Sequence, residues 1–238
     1  MFYLYDGSKE GFLTAFVEAF QDEEAQLLSP DSQLVIGELK SVERDIDKAK
    51  RAEKRLSSFD SAFPYQLDRL LRSGAKNSQQ TAFDYCRYLA KEKTVVKNRL
   101  AVPAVFAAMQ LIKKINLEIH HLHGFIRFME CENGALYAPI SPDNDICDLL
   151  LPHFRARLPN FPFLIHDVKR KKAAVYDGKA SFLAPLDKAD VLLSGTETEW
   201  QALFKRYYQA VNIPSRERIN QMKGYMPVRY WKFMPELQ

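Results

Sequence analysis

Residues 119–140, IHHLHGFIRFMECENGALYAPI, decide the fold class, because the spacing of the apolar side chains changes there. Upstream, apolar residues recur every three to four positions, which is typical of helices. From Ile119 to Glu130 they alternate with polar residues, as in a strand with one buried face. Asn133-Gly134 is the dipeptide of a tight hairpin turn, and Ala135 to Ile140 follows it as a return strand. The stretch therefore predicts a β-hairpin.

The chain before this stretch has a mainly helical pattern. Ser8 is a typical N-cap for a first helix. Residues 41–92 predict two or three charged helices, and residues 103–117 predict an apolar helix that is buried on more than one side. Two short strands are expected in this half, at Phe2 to Tyr5 and at Gln33 to Ile36.

The chain after this stretch mixes short strands and helices. Asp145 to Leu158 predicts a helix, and three strands are expected at Phe163 to His166, Ala173 to Tyr176 and Ser181 to Leu183. A last helix begins near Thr196. One stripe of this helix is expected to face the core, and it consists of Trp200, Leu203, Phe204, Tyr207, Tyr208 and Val211. A helical N-terminal half packed with a mixed, mainly antiparallel sheet and helices is an α+β fold. We expect the two parts to be residues 1–117 and 118–238.

Composition places the 238-residue chain among ordinary globular proteins, with 47% hydrophobic and 27% charged residues. Three cysteines, Cys86, Cys131 and Cys147, are too few and too far apart for a disulfide framework or an iron–sulfur site, which favours a reducing cytoplasm. Met1 to Asp6 carry no basic region ahead of an apolar stretch, so no signal peptide is expected. No apolar run approaches the roughly 20 residues of a bilayer span, so no membrane contact is predicted.

Charge is distributed unevenly along the chain. Residues 39–114 hold 17 cations and eight acids, and residues 155–172 hold six cations and one acid. Residues 205–232 hold seven cations and one acid. Such blocks suit a polyanionic partner. They are equally compatible with solvated helix faces that the acidic segment 1–38 partly neutralises.

The histidines of the predicted strand are the first candidates for chemistry. On a strand, His121, His123 and Arg127 share one face, and His120 lies on the other. Two imidazoles and a guanidinium could bind an anion or transfer protons. Alternating histidines can also ligate a metal, but no acidic ligand is tied to them by spacing. We therefore predict no metal.

His153 and the His166-Asp167 pair are further candidates. His153 lies on the apolar side of its helix, where a hydrogen-bonded core histidine is the alternative interpretation. His166 and Asp167 point to opposite faces of a strand, so a direct dyad is not expected. Asp167 is also explained as a turn residue or as an ion-pair partner of Arg170.

The C-terminal stretch combines cations with aromatic rings. This combination binds single-stranded nucleic acid, because cations hold phosphates and rings stack on bases. Three rings lie outside the predicted core stripe and are the candidate platforms: Tyr225, Tyr230 and Trp231. Trp231 could equally anchor the C-terminus.

The sequence contains no glycine-rich phosphate loop, nucleophile elbow, zinc-protease helix or deaminase cysteine pair, so the familiar enzyme classes are not favoured.

Several segments together carry a family resemblance: Tyr5-Asp6-Gly7-Ser8, Gly124-Phe125-Ile126-Arg127-Phe128, Leu136-Tyr137-Ala138, His153-Phe154-x-x-Arg157, Ile165-His166-Asp167 and Met226-Pro227-Val228-Arg229-Tyr230-Trp231-Lys232. The chain resembles a bacterial family of DNA-metabolism and DNA-repair proteins. Members are typically encoded beside a radical-SAM protein, and their C-terminal domain of unknown function also occurs fused to uracil-DNA-glycosylase-like domains. The radical enzyme itself needs a clustered trio of cysteines, so this chain is expected to be its companion and to carry no cofactor.

The resemblance implies an accessory protein that holds DNA or a damaged nucleotide for the radical-SAM partner. We expect a basic, ring-lined groove built from Arg127, Arg157, Arg170, Arg216, Arg229, Tyr230 and Trp231. The alternative is an enzyme whose acid–base or hydrolytic site is formed by His120, His153 and Asp167 in one pocket. A second alternative is a protein-binding adaptor, which would expose a large apolar patch and lack a positive groove.

Overall fold

The computed structural model describes residues 1–30, 37–189, 191–213 and 218–237. Its contacts separate two compact units, Met1–Asn116 and Leu117–Gln238. The predicted strand at Gln33 to Ile36 and the candidate Arg216 lie outside the described residues. Among the described residues, no helix is both long and apolar enough to cross a bilayer. Helices and a mixed sheet confirm the α+β class.

The first unit packs helices against a small parallel sheet. Its elements are β1 (Phe2–Leu4), α1 (Lys9–Ala19), β2 (Gln26–Leu28), β3 (Leu39–Ser41), α2 (Ile46–Ser57), α3 (Phe63–Leu71), α4 (Ser78–Glu92) and the start of α5 (Pro103–Phe125). β1 lies between β2 and β3 and runs parallel to both. α1 begins as predicted, because the Ser8 hydroxyl accepts a hydrogen bond from the Gly11 amide at 2.9 Å. Phe12 and Phe83 are fully buried in the core.

The predicted strand at residues 119–130 is wrong over most of its length. α5 continues through Phe125, and only Met129–Glu130 form a strand, β4. The physical reason is that the apolar residues of this stretch satisfy two periods at once. Ile115 and Leu122 are buried seven residues apart, which is two helical turns, so the helix spacing of the preceding residues simply continues. The inferred sharing of one strand face by His121, His123 and Arg127 therefore does not hold.

The second unit is built around a five-stranded sheet. After β4 come β5 (Leu136–Ile140), α6 (Leu151–Arg157), β6 (Phe163–Asp167), β7 (Lys172–Tyr176), β8 (Ser181–Pro185), α7 (Glu197–Val211) and α8 (Ile219–Tyr225). Short 3₁₀ turns occupy Asp148–Leu150, Val228–Phe233 and Pro235–Leu237. The strand order is β4-β5-β6-β7-β8, with β5 and β6 parallel and the other neighbours antiparallel, which confirms the predicted mixed, mainly antiparallel sheet. The predicted turn is present, and Gly134 has a φ of 77° there.

α7 forms as predicted, but it faces the opposite way. Trp200 is 61% exposed and Tyr207 is 60% exposed, so most of the expected core stripe lies on the surface, and of its six residues Tyr208 alone is half-buried. The reason lies at the start of the helix. There the buried Glu197 carboxylate accepts hydrogen bonds from the Glu130 backbone amide at 2.9 Å and from the Gln201 side-chain amide at 2.8 Å. Because these hydrogen bonds hold Glu197 against β4, the side of α7 that carries Glu197 and Gln201 faces the interior of the second unit.

Candidate functional site

The buried carboxylate of Glu118 is the centre of the largest polar network in the described part of the second unit. Its Oε1 accepts hydrogen bonds from the Asp143 amide (2.9 Å), Arg229 Nη2 (2.7 Å) and the Tyr230 hydroxyl (2.9 Å). Its Oε2 accepts from the Asn144 amide (3.0 Å) and from Asn144 Nδ2 (2.7 Å). Burial acts to raise the pKa of Glu118, but these donors outweigh it and hold the pKa below its ordinary value. The carboxylate therefore stays ionised and fixes the C-terminal turn.

Arg229 and Tyr230, both predicted to contact nucleic acid, belong to this network. Arg229 also pairs with Asp143 at 3.1 Å, and its guanidinium lies 4.7 Å from the centre of the Tyr230 ring. Tyr230 is 2% exposed, so in this structure its ring presents no face for a base to stack on. The hydrogen bonds and burial give both residues a structural role.

Asp167 and Arg170 form a second buried ion pair at the end of β6. Asp167 Oδ1 accepts from the amides of Lys169 and Arg170, both at 3.1 Å, and Oδ2 lies 3.0 Å from Arg170 Nη1. Arg170 also donates to the carbonyls of Pro142 and Asp143, at 3.1 and 2.6 Å. The pair therefore joins β6 to the loop after β5, which matches the ion-pair interpretation of Asp167.

The His120 and His153 imidazoles make no hydrogen bond or ion pair with Asp167 among the described residues. His123 and His153 stack with ring centres 4.0 Å apart and planes at 11°, and His120 is exposed beside His121. Within the described residues, no contact joins His120 or His153 to Asp167, so the three predicted catalytic groups are not brought together by contacts. Burial and the neighbouring imidazoles of His153 and His120 lower the pKa of His123, which favours its neutral form.

His166 has a structural environment. Its Nε2 lies 3.0 Å from the Leu186 carbonyl and must donate, because a carbonyl oxygen only accepts. Its Nδ1 then accepts from the Tyr137 hydroxyl at 2.9 Å. No group of three or more histidine, cysteine or carboxylate side chains is placed to hold a metal ion in the described part of the chain.

The remaining predicted ligands are only partly available. Arg127 donates to Glu236 at 2.9 and 2.7 Å, and the Glu236 side chain is 3% exposed. Trp231 is half-buried, and its indole donates to the Met226 carbonyl at 3.0 Å. Arg157 is exposed. Three of the predicted groove arginines, Arg127, Arg170 and Arg229, are thus ion-paired with buried carboxylates.

A ring-lined cavity of about 510 Å³ opens between α7, α8 and the C-terminal 3₁₀ turns. We call it the aromatic pocket, and its lining consists of Tyr208, Asn212, Arg218, Ile219, Gln221, Met222, Tyr225, Trp231 and Leu237. Tyr225 and Trp231 were predicted as platforms, whereas Tyr208 was assigned to the core. Tyr208 lies in the last turn of α7, and Asn212 caps the end of that helix, where its amide donates to the Tyr208 carbonyl at 3.1 Å.

The aromatic pocket offers the groups that a nucleotide needs. Three aromatic rings provide stacking surfaces, each worth about 1–3 kcal/mol per base. The Gln221 side-chain amide can donate to and accept from a base edge. Arg218 is exposed at the pocket and carries the charge that a phosphate requires. A flat aromatic ligand with an attached anion therefore fits this lining.

Comparison with known proteins identifies a family. A family model described as a domain of unknown function, DUF4130, matches residues 76–236, which is more than half of the chain. The match extends from α4 to the C-terminal 3₁₀ turns and includes every lining residue of the aromatic pocket except Leu237. No curated protein and no solved structure matches the chain.

Proposed function

Because the chain belongs to the DUF4130 family of domains of unknown function, we propose its role from the aromatic pocket and the sequence resemblance together. The protein is an accessory component of DNA metabolism that holds one nucleotide of single-stranded or damaged DNA for a radical-SAM partner. Its own contribution is binding and presentation of the base. The bound nucleotide is taken out of the stack and held between aromatic rings.

One observation carries this proposal. Tyr208, Tyr225 and Trp231 converge with Arg218 on a single cavity, although they come from three separate elements. The cavity volume of about 510 Å³ lies within the range of small-molecule sites. Tyr225 is 69% exposed, which is unusual for a large ring and leaves its face available to a ligand. The rings hold the base and the guanidinium holds the phosphate.

Replacement of Tyr225 by Ala tests the pocket. The loss of one stacking ring is expected to weaken binding of a deoxynucleoside monophosphate by roughly 5- to 160-fold, from about 1–3 kcal/mol of stacking. Isothermal titration calorimetry with the full chain measures this. Tyr207→Ala is the matched control, because Tyr207 is equally exposed but does not line the pocket. Equal affinity of the Tyr225 variant and the wild type would refute the pocket as the nucleotide site.

A second role is favoured by the exposed apolar side of α7. Trp200, Leu203, Tyr207 and Val211 are each more than half exposed on one side of this helix. Exposed aromatic clusters of this kind mark protein-binding surfaces, where tryptophan and tyrosine are the commonest anchors. We propose that this side docks the radical-SAM partner, while Tyr208, on the adjacent half-buried side of α7, lines the aromatic pocket.

The docking role predicts a variant that separates it from nucleotide binding. Trp200→Glu places a charge at the centre of the contact and is expected to reduce co-purification with the radical-SAM protein at least tenfold, because a buried interface tolerates no unpaired charge. Nucleotide affinity stays unchanged. Tyr225→Ala serves as the converse control. Unaltered recovery of the partner with Trp200→Glu would rule out docking through α7.

A further inference from the structure

The solvent side of α2 carries a stripe of four cations in the first unit. Lys50, Arg51, Lys54 and Arg55 are all exposed and follow one another over little more than one helical turn. We call these four residues the α2 stripe. None of them forms an ion pair with any residue that the structure describes. The stripe therefore presents four cations without an ion pair; of these, Arg51 interacts electrostatically with Asp45, and the Arg55 guanidinium lies 5.0 Å from the centre of the Phe59 ring.

Other cations close to this helix are neutralised, which makes the stripe distinctive. Lys48, also on α2, pairs with Glu18 at 3.0 Å. Lys9 on α1 pairs with Glu53 of α2 at 2.5 Å. Glu18 and Glu53 thus pair with Lys48 and Lys9. Neither carboxylate pairs with a cation of the α2 stripe.

We propose that the α2 stripe binds the phosphodiester backbone of DNA. The proposal rests on the proposed function for its ligand, and it adds an attachment surface in the other unit. From Lys50 to Arg55 the helix rises about 7.5 Å, and over that length duplex DNA carries about four phosphate charges. Four cations match this charge density. Contacts of this kind position a nucleic acid and give affinity without sequence preference.

The apolar side of α2 argues for a nucleic acid over a membrane surface. This side consists of Ala49, Ala52 and Leu56, and all three are buried in the core of the first unit. A helix that binds a lipid surface inserts bulky apolar side chains into the headgroup region. α2 has no such side available, because its small apolar face is already packed and a single bulky apolar residue of the helix, Ile46 at its first position, is exposed. The ligand therefore meets mainly charge, as in binding to phosphates.

The test replaces the stripe by glutamine in the full chain, as K50Q/R51Q/K54Q/R55Q. Binding of a fluorescent duplex 20-mer is measured by anisotropy between 50 and 200 mM salt. Four lost phosphate contacts are expected to reduce the slope of log K against log salt by about 3.6. The wild type therefore loses about 150-fold more affinity than the variant over this salt range.

A matched control removes the same charge elsewhere in the first unit. The variant K91Q/K97Q/K113Q/K114Q changes four other exposed lysines and is expected to keep the wild-type slope. A stripe variant that also keeps the wild-type slope overturns the inference. So does a stripe variant that loses binding to phosphatidylserine vesicles while its DNA binding is unaltered, which would identify a membrane surface instead.

The two proposals fail separately. The stripe variant is expected to bind a deoxynucleoside monophosphate as tightly as the wild type, because a mononucleotide fits the aromatic pocket alone. If Tyr225→Ala has no effect while the stripe variant lowers the salt slope, the pocket proposal is refuted and the stripe stands. If Tyr225→Ala weakens mononucleotide binding while the salt slope is insensitive to the stripe, the stripe is refuted and the pocket stands.

Discussion

Replacement of Glu118 by Ala is expected to lower the free energy of unfolding of the second unit by about 3–5 kcal/mol. The substitution leaves Arg229 without its buried anion and removes the acceptor of the Tyr230 hydroxyl. It also strips two buried donors of Asn144 of their partner. Removal of this carboxylate is costly, because the buried Tyr230 hydroxyl and the donors of Asp143 and Asn144 lose an ionised acceptor, and Arg229 is left with the exposed Asp143 as its charged partner. The loss is a large fraction of a typical domain stability of about 5–15 kcal/mol.

Chemical denaturation followed by tryptophan fluorescence measures this effect, since both tryptophans lie in the second unit. Asp143→Ala is the matched control. It removes the other carboxylate beside Arg229, but that side chain is 62% exposed, so the expected cost is no more than about 1 kcal/mol. A cost below about 1 kcal/mol for Glu118→Ala would contradict a structural role for this network.

Replacement of Asp167 by Ala is expected to cost about 3–5 kcal/mol as well. Its side chain is fully buried, and it holds both the Arg170 guanidinium and two backbone amides. Asp167→Asn keeps an oxygen for the two amides but loses the charge that faces Arg170. We expect an intermediate loss of about 1.5–3 kcal/mol for this variant, the range of a charged hydrogen bond.

Chemical denaturation of both Asp167 variants, with Lys171→Ala as the control, measures how much each substitution lowers the free energy of unfolding. Lys171 pairs with Asp187 at 2.9 Å, but both side chains are about two-thirds exposed, so this pair contributes little. The expected order of cost is Asp167→Ala, then Asp167→Asn, then Lys171→Ala. Equal costs for the first two would show that the charge facing Arg170 accounts for the whole loss and that the backbone contacts add nothing, whereas a negligible cost for Asp167→Asn would contradict a role for the charge.

The parts of the fold that could be predicted from the sequence are those that local signals determine. The Ser8 cap begins α1, and Gly134 occupies the positive-φ position of the predicted turn. The C-terminal end of α5 could not be predicted from such local signals, because residues 119–122 fit both an alternating and a helical pattern. The orientation of α7 was equally inaccessible, since it depends on the hydrogen bond from the Glu130 amide to Glu197, two residues that are 67 positions apart.

The candidate site was predictable in composition but not in arrangement. The sequence places cations and rings together near the C-terminus, and Tyr225 and Trp231 do line one pocket. It does not reveal that Arg127 and Arg229 find the buried partners Glu236 and Glu118, because those pairs span more than 100 residues. Tyr208 was missed because its neighbours on the apolar stripe made it resemble a core residue.

Fluorescence of Trp231 is the most direct measure of the central claim, which is that a nucleobase occupies the aromatic pocket. In a Trp200→Phe chain, Trp231 is the only tryptophan. Titration of this variant with a deoxynucleoside monophosphate is expected to quench the indole emission in a saturable manner, because a base stacked against the pocket rings lies beside the indole. Calorimetry on the same samples gives the fraction bound. Emission that stays constant while calorimetry shows the nucleotide bound would place the ligand elsewhere and contradict the account.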